Sequence, residues 1–281
     1  MTRSDVFKPP FDWILDTLKM MPIYRIRDGY STLQKNEDVF DTCRKLLESK
    51  QGLLIFPEGN HGLDYYLRPL TKGMARIALQ AQEKISSSIT VIPVGLNYFD
   101  HFNSGNKLVI KYGIPISVND YMSRYKEHPQ KGLRGITKDV SQGMKTTLII
   151  PDNDEDYHIQ KRIFSRRNEA LSFDQLHSLK HKSSYTQVEK NYTILGYLGE
   201  LISILNWPPL FLARWVLKNK VSQKIFTSSI KVAIGIFIFP LWYLFSFLIV
   251  GLVFNWTWGF LIVIIQLSTI VIRQELVRLS R

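Results

Sequence analysis

The sequence has 281 residues, 45% of them hydrophobic, and a formal net charge of +12 at neutral pH. This length and apolar content suffice for one substantial domain with an appendage, and the basic surplus favours anionic partners such as nucleic acid, phospholipid headgroups or phosphorylated metabolites. The basic residues are spread along the chain, which argues against a nucleic-acid-binding arm. The single cysteine, Cys43, excludes an intrachain disulfide, and the sequence has no Cys/His pair at zinc-site spacing.

Two amphipathic helices are predicted in the first 150 residues. The first covers Ser31–Lys50, with Ser31 as its cap and Gly52 as its stop. The second covers Lys72–Lys84. The positions predicted to be buried on these helices include Cys43, Ile77, Ala78 and Ala81.

Three apolar segments between and after these helices predict strands. Leu53–Phe56 reads as a short buried strand, and Ile89–Tyr98 as a second one that Pro93 interrupts. Lys107–Ile116 alternates and predicts a third strand with Leu108, Ile110 and Tyr112 turned inward. Apolar strands that alternate with helices favour an α/β fold with a mainly parallel sheet covered by helices.

A long uncharged stretch near the C-terminus predicts a transmembrane helical hairpin. No charged residue occurs from Val232 to Ile272, and the stretch divides into Val232–Phe254 and Trp256–Ile272 at a tryptophan-containing turn. Lysines precede this pair and arginines follow it, so the positive-inside rule places both ends in the cytoplasm. The alternative is a buried helical hairpin in a soluble core.

The segment before the hairpin is apolar but broken. Tyr192–Leu217 is interrupted at Trp207-Pro208-Pro209, which predicts short helices lying on the membrane or, alternatively, docked against the soluble domain. The predicted organisation is an α/β domain at 1–150, a polar connector at 151–191, interfacial helices at 192–231, two transmembrane helices at 232–272 and a basic tail at 273–281.

Several charged residues are candidates for a binding site. Glu58 follows the apolar run at Leu53–Phe56 within Pro57-Glu58-Gly59, where a ligand site of an α/β sheet would lie. Arg25 and Arg27 share one face of a short strand, and Arg68 and Lys72 lead into a helix. Cations in such positions suit a phosphate. Taken singly, Glu58 reads better as a surface turn glutamate, and the cations read better as ordinary solvated charges.

Four motifs in order carry a resemblance to a known family. They are "PIYRIRDG" at 22–29, "LLIFPEGNHG" at 53–62, "LRPLTKG" at 67–73 and "VIPVGLNY" at 91–98. Their order and spacing resemble the glycerolipid acyltransferases, the family that contains bacterial 1-acylglycerol-3-phosphate acyltransferase, and the resemblance covers about residues 1–120. Its most recognisable element is F-P-E-G, at Phe56–Gly59.

The resemblance implies transfer of a fatty acyl group from acyl-CoA or acyl-carrier protein to a glycerophosphate hydroxyl in phospholipid synthesis. Arg25 and Arg27 would then hold the acceptor phosphate, and Glu58 with Gly59 would shape the acceptor site. Arg68 and Lys72 are further candidates for the phosphate clamp. The implied partners are the phospholipid bilayer, the glycerophosphate acceptor and the acyl thioester donor, with no bound cofactor, metal or nucleic acid. The implied location is a membrane, with the catalytic domain on its cytoplasmic face, the inner membrane in a bacterium.

One departure from the family puts catalysis by this chain in question. The family's general base lies in an H-x-x-x-x-D block, but no such block occurs upstream of Phe56. We therefore expect the block to fall ahead of Met1 and assign no catalytic residue. His61 with Asp64 is a weak substitute for it. The chain would be an acyltransferase inactive as written or, alternatively, a non-catalytic membrane-anchored lipid- or phosphate-binding protein.

Overall fold

The computed structural model describes residues 2–3, 12–24, 35–60, 62–102, 107–164, 169–179, 193–221 and 226–279. The chain divides into two compact units. The first is drawn from Met1–His61, Tyr66–Leu96 and Ile110–Asn153, and the second from Gly62–Tyr65, Asn97–Val109 and Asp154–Arg281. The domain bounds expected from the sequence stay predictions.

The described residues form short strands and many helices. In chain order these are β1 (Thr2–Arg3), α1 (Asp12–Thr17), β2 (Pro22–Ile23), α2 (Lys35–Glu48), α3 (Gly73–Gln82), β3 (Thr90–Val91), β4 (Val94–Tyr98), β5 (Leu108–Tyr112), β6 (Ile116–Ser117), α4 (Met122–Glu127), α5 (Pro129–Thr147), α6 (Tyr157–Ile163), α7 (Phe173–Ser178), α8 (Thr193–Ile202), α9 (Trp207–Asn219), α10 (Thr227–Val253) and α11 (Trp256–Leu279). Single 3₁₀ turns at Val118–Tyr121 and Ile204–Asn206 precede α4 and α9.

The predicted helix at 31–50 is confirmed as α2, but its end differs from the prediction. Lys50, not Gly52, adopts the left-handed conformation, with φ of 57°. The amide of Lys50 donates to Leu47 O and that of Gln51 to Leu46 O, both at 2.9 Å, so the helix has already turned before Gly52. The predicted cap, Ser31, lies outside the described residues. Cys43 is fully buried, as predicted.

The second predicted helix is confirmed as α3, and it is the centre of the first unit's core. Ile77, Ala78 and Ala81 are buried on it, as expected. The core cluster joins α3 to the 3₁₀ turn, α4 and α5, and its buried members are Met74, Ala75, Ala78, Leu79, Val118, Met122, Leu133, Ile136 and Val140. The amphipathic pattern of α3 therefore fixes which face of the helix is internal.

The expected mainly parallel sheet is not found among the described residues, which instead form three two-stranded sheets. β1 pairs with β2 in parallel, β3 pairs with β6 in antiparallel register, and β4 pairs with β5. Most of the described chain is helical, so the α/β prediction is right in its mixture of elements, whereas the described sheets are small and do not clearly form a parallel sheet.

The predicted strands fare differently from one another. Ile89–Tyr98 becomes β3 and β4, separated at Pro93 as expected. The inward face assigned to Lys107–Ile116 is wrong, because Leu108, Ile110 and Tyr112 are 39%, 48% and 67% exposed, whereas the alternate positions in β5 are half-buried.

The predicted buried strand Leu53–Phe56 is also wrong for the described chain. None of the three sheets found there includes these residues, and Leu54 and Phe56 are 68% and 59% exposed. Ile55 packs against the core of the first unit. The segment thus keeps the alternation of a strand, with one side inward, but none of the described strands forms a ladder with it.

The second unit ends in two long apolar helices. Thr227–Val253 and Trp256–Val277 are long and apolar enough to cross a membrane, with mean hydropathies of 2.4 and 1.8. Only 11% and 6% of their most apolar windows are buried inside the chain, which disfavours the alternative of a soluble core hairpin. Gly251 and Gly259 allow the two helices to approach closely, because a Cβ at Gly259 would lie 2.8 Å from Phe247 O.

Candidate functional site

The F-P-E-G element forms a tight turn at the end of the extended segment 53–56. The amide of Gly59 donates to Phe56 O at 3.3 Å. Gly59 has φ of +66°, and a Cβ there would lie 3.0 Å from Thr71 Cγ2. Both the backbone conformation and the close approach of Thr71 explain glycine at this position.

Hydrogen bonds tie the loop 67–73 to this turn. The amide and the hydroxyl of Thr71 both donate to Pro57 O, at 2.8 and 2.9 Å. The amide of Arg68 donates to Glu58 Oε2 at 3.2 Å. These bonds bring Glu58, Gly59 and the backbone of Arg68 to one place, and their role in binding a substrate stays a prediction.

The Glu58 carboxylate is held in a half-buried environment. Burial raises the pKa of Glu58, and the Arg68 amide and guanidinium oppose that shift without cancelling it. A carboxylate that accepts a backbone amide fixes the path of the loop that carries Arg68. Glu58 is therefore a positioning residue for this loop.

The other predicted site residues are placed less directly. Lys72 lies just before α3, and its Nζ donates to Gln130 Oε1 on α5 at 3.0 Å. Arg25 and Arg27 lie outside the described residues, and so does His61. The assignment of these residues to a substrate site remains a prediction.

Sequence reasoning missed Thr71, which makes two of the bonds that close the loop on the turn. A threonine two residues before the start of a helix is a signal for side-chain bonding to a nearby backbone, and it could have pointed to this role. Within the described part of the chain, no group of three or more His, Cys, Asp or Glu side chains could hold a metal ion.

A second group of titratable residues lies in the second unit, where sequence reasoning assigned His101 no chemistry. The rings of Tyr65 and His101 are 4.6 Å apart, and Lys161 Nζ lies 5.2 Å from the centre of the Tyr65 ring. Burial is the main cause that raises the pKa of Tyr65 to about 12, with the charge of Asp100 adding to it. Burial likewise lowers the pKa of His101. Both shifts favour the neutral forms of Tyr65 and His101, whose rings pack together in this unit.

Comparisons with known proteins connect the turn and loop to a family. Residues 1–97, which contain both, match the family model described as "Acyltransferase". This N-terminal segment is thus similar to the acyltransferase family. No solved structure matches the chain.

Curated relatives agree with this similarity. The chain is 28% identical over 130 residues to "Glycerol-3-phosphate O-acyltransferase 2" of Saccharomyces cerevisiae, an alignment that covers 46% of this chain and 17% of that protein. It is 25% identical over 118 residues to an uncharacterized acyltransferase of Schizosaccharomyces pombe, covering 41% and 18%. It is 26% identical over 99 residues to "Glycerol-3-phosphate O-acyltransferase 1" of Saccharomyces cerevisiae, covering 34% and 13%. The chain thus spans less than a fifth of the length of these relatives.

Proposed function

We propose that this N-terminal segment binds the glycerophosphate acceptor of a glycerolipid acyltransferase, and that the reaction served is transfer of a fatty acyl group to its free hydroxyl. The observation that carries the proposal is the loop 67–73 bonded onto the Pro57-Glu58-Gly59 turn, which holds Arg68 beside the F-P-E-G element. Similarity to the family and to two glycerol-3-phosphate O-acyltransferases supports it.

The proposed chemistry needs a cation for the phosphate and a base for the hydroxyl. The acceptor oxygen attacks the carbonyl carbon of an acyl thioester, supplied by acyl-CoA or acyl-carrier protein, and the carbon–sulfur bond breaks. The base takes the hydroxyl proton, and the thiol leaves protonated. Arg68 binds the phosphate together with Arg25 and Arg27, and Glu58 keeps Arg68 in register. No residue of this chain is proposed as the base.

Binding of glycerol 3-phosphate tests the acceptor site. We expect Arg68→Gln in the full chain, purified in detergent micelles, to weaken the affinity measured by calorimetry by roughly tenfold or more, because a charge-assisted hydrogen bond contributes about 1.5–3 kcal/mol. Arg134→Gln is the matched control, since Arg134 is an exposed arginine on α5. Equal affinities for the two variants would reject Arg68 as a phosphate ligand.

A second candidate function is a non-catalytic membrane-anchored lipid- or phosphate-binding protein. It is favoured by the absence of any H-x-x-x-x-D motif from the 281 residues. Transfer of radiolabelled acyl chains from acyl-CoA and from acyl-carrier protein to glycerol 3-phosphate separates the two functions. Binding without product supports the non-catalytic function for this chain, whereas product that is lost with Arg68→Gln rejects it.

We also propose that α10 and α11 cross a lipid bilayer with both ends on the cytoplasmic side. The length and hydropathy of the two helices support the crossing, and the lysines before and arginines after them support the orientation. Protease digestion of a tag placed after Arg281 tests the orientation. In sealed vesicles whose cytoplasmic face is outward, we expect the tag to be digested. A tag that is digested only after the vesicles are opened would contradict this orientation.

A further inference from the structure

The helices that precede the two candidate spans pack against them in a way that fixes their depth. We propose that α8, the turn Ile204–Asn206 and α9 form a re-entrant hairpin, which enters and leaves the bilayer on one side and places its turn near the mid-plane. The sequence alone predicts helices lying on the membrane surface; the contacts point to a deeper position. The proposal rests on α10 and α11 crossing the bilayer and is independent of acyl transfer.

The descending half of the hairpin is α8, which runs antiparallel to α11. At the start of the contact, a Cβ on Gly199 would lie 3.3 Å from Leu276 Cβ, so the two helices nearly touch there. At its end, Asn206 Nδ2 donates to Gln266 O at 2.9 Å and to Thr269 Oγ1 at 3.1 Å. Residue numbers of the contact positions increase along α8 while those on α11 decrease. The two helices are therefore antiparallel, and α8 runs along α11 toward the middle of the span.

The ascending half is α9, which returns to the level of Glu200 in the last turn of α8. At the turn, Leu205 O accepts from Trp242 Nε1 at 3.0 Å. Between the turn and the open end, Arg214 pairs with Glu200 at 2.5 Å, and Arg273 pairs with the same carboxylate at 2.7 Å. Glu200, Arg214 and Arg273 belong to three different helices, so this ion group fixes both halves of the hairpin and α11 at one level.

The residues that contact the turn lie at the middle of the candidate spans. Gln266 is at the midpoint of Trp256–Val277, and Trp242 is two residues past the midpoint of Thr227–Val253. Arg273 is seven residues from Gln266 along α11, which places the ion group about 10 Å nearer the membrane surface than the turn. Helices of 10 and 13 residues also match half of a hydrocarbon core about 30 Å thick.

The break between α8 and α9 is hydrogen-bonded to both candidate spans. Non-helical backbone at membrane depth is tolerated where protein buries it and satisfies its polar groups. Ser203 and Asn206 are 2% and 0% exposed, and Leu205 O also accepts from Gln266 Nε2 at 3.4 Å. Gln266 Nε2 donates as well to Ser246 Oγ at 3.0 Å, which joins α11 to α10 beneath the turn.

The outer surface of the hairpin suits the acyl chains of one leaflet. Its exposed side chains are large and apolar: Ile194, Tyr197, Leu198, Leu201, Ile204, Trp207, Phe211 and Trp215. The charged residues of α8 and of the first eight residues of α9 are Glu200 and Arg214, which pair with each other, and Glu200 also pairs with Arg273. Beside the turn lies a groove of about 640 Å³, lined by Trp207, Trp242 and Phe245 among others. This groove offers the lipid acyl chains a further apolar surface.

Site-directed spin labelling measures the depth directly. Cys43→Ser removes the only cysteine, and single cysteines are then introduced at exposed positions for a nitroxide. Ile204→Cys probes the turn, Ile194→Cys the start of α8, and Leu244→Cys the middle of α10, with exposures of 67%, 76% and 53%. The full-length variants are reconstituted in phosphatidylcholine vesicles that contain some phosphatidylglycerol, and depth follows from relative collision with oxygen and a polar nickel complex.

We expect the label at 204 to lie as deep as the label at 244, roughly 15 Å below the edge of the hydrocarbon core, and the label at 194 to lie near the surface. Helices that lie flat would place the labels at 194 and 204 at similar depths of about 5–10 Å. That result, with 244 still deep, would overturn the hairpin alone. Shallow positions for both 204 and 244 would overturn the hairpin and the membrane crossing together, and neither result bears on binding of glycerol 3-phosphate.

Discussion

Glu58 shows how a single carboxylate can be structural in a site that is expected to bind a phosphate. Its oxygen accepts the Arg68 amide, and burial raises its pKa above the ordinary value of 4.5. Between that value and the raised one, the folded chain binds more protons at Glu58 than the unfolded chain does. The contribution of Glu58 to stability is therefore largest at low pH and falls as pH rises through this window.

We expect Glu58→Gln to be at least as stable as the parent chain at neutral pH, because the amide oxygen still accepts from Arg68 without a buried charge. Glu58→Ala removes that acceptor and should cost about 1–2 kcal/mol. Denaturant titrations of the full chain in micelles, at pH 5 and pH 7, measure both effects. A Glu58→Gln variant that is less stable than Glu58→Ala would contradict this account.

Gly59 is the second residue on which the site's geometry depends. Gly59→Ala should destabilise the chain by about 1–2 kcal/mol, because its φ of +66° is unfavourable for a residue with a Cβ and because the new methyl meets Thr71. The free energy of unfolding measures the loss. Gly52→Ala is the control, since a Cβ there meets nothing within 4 Å, and equal losses at both glycines would count against the proposed turn geometry.

At the scale of secondary structure, α2 carries a correctable strain at its C-terminus. We expect Lys50→Gly to stabilise the chain by about 0.5–1 kcal/mol, because Lys50 is exposed and adopts the left-handed conformation that glycine tolerates. Lys45→Gly makes the same chemical change inside the helix and should cost about 1 kcal/mol. Unfolding midpoints of the two variants that move in the same direction would refute this reading of the helix end.

Helices were predicted well from the sequence because their signals are local. The periodic apolar positions of α2 and α3 and the uncharged stretches of α10 and α11 each mark a helix without reference to the rest of the chain. Strands depend on distant partners. Residues 53–56 have a strand's composition, but no described strand pairs with them, and the alternation in β5 shows two faces without showing which is covered.

The candidate site followed the same division. The order of the motifs along the chain suggested that the Pro57-Glu58-Gly59 turn and Arg68 could lie near each other, and the structure joins them by one backbone hydrogen bond. The order did not show that Lys72 bonds to Gln130 on α5, because that contact joins residues 58 positions apart and depends on how α3 packs on α5. Thr71 was missed for a similar reason, since its value lies in the carbonyl that the fold places beside it.

For the molecule as a whole, both positive charge and apolar helices could hold the chain to a membrane. The net charge of +12 attracts it to anionic lipids, but each basic residue near the surface contributes only about 1 kcal/mol and salt screens that attraction. The candidate spans of 27 and 22 residues bury far more, at about 25 cal/mol for each Å² of apolar surface removed from water. The apolar helices should therefore dominate.

We accordingly expect the full chain to stay in the membrane pellet after washing with about 1 M salt, which shortens the screening length to roughly 3 Å, and to be released by detergent. A variant with Lys218→Gln and Lys220→Gln should sediment in the same way. These exposed lysines at the end of α9 contribute positive charge but do not insert apolar surface into the bilayer. Release of the parent chain by salt, or of the double variant alone, would mean that surface charge holds the protein. Retention of both in salt leaves the candidate spans and the apolar hairpin surface as the membrane attachment.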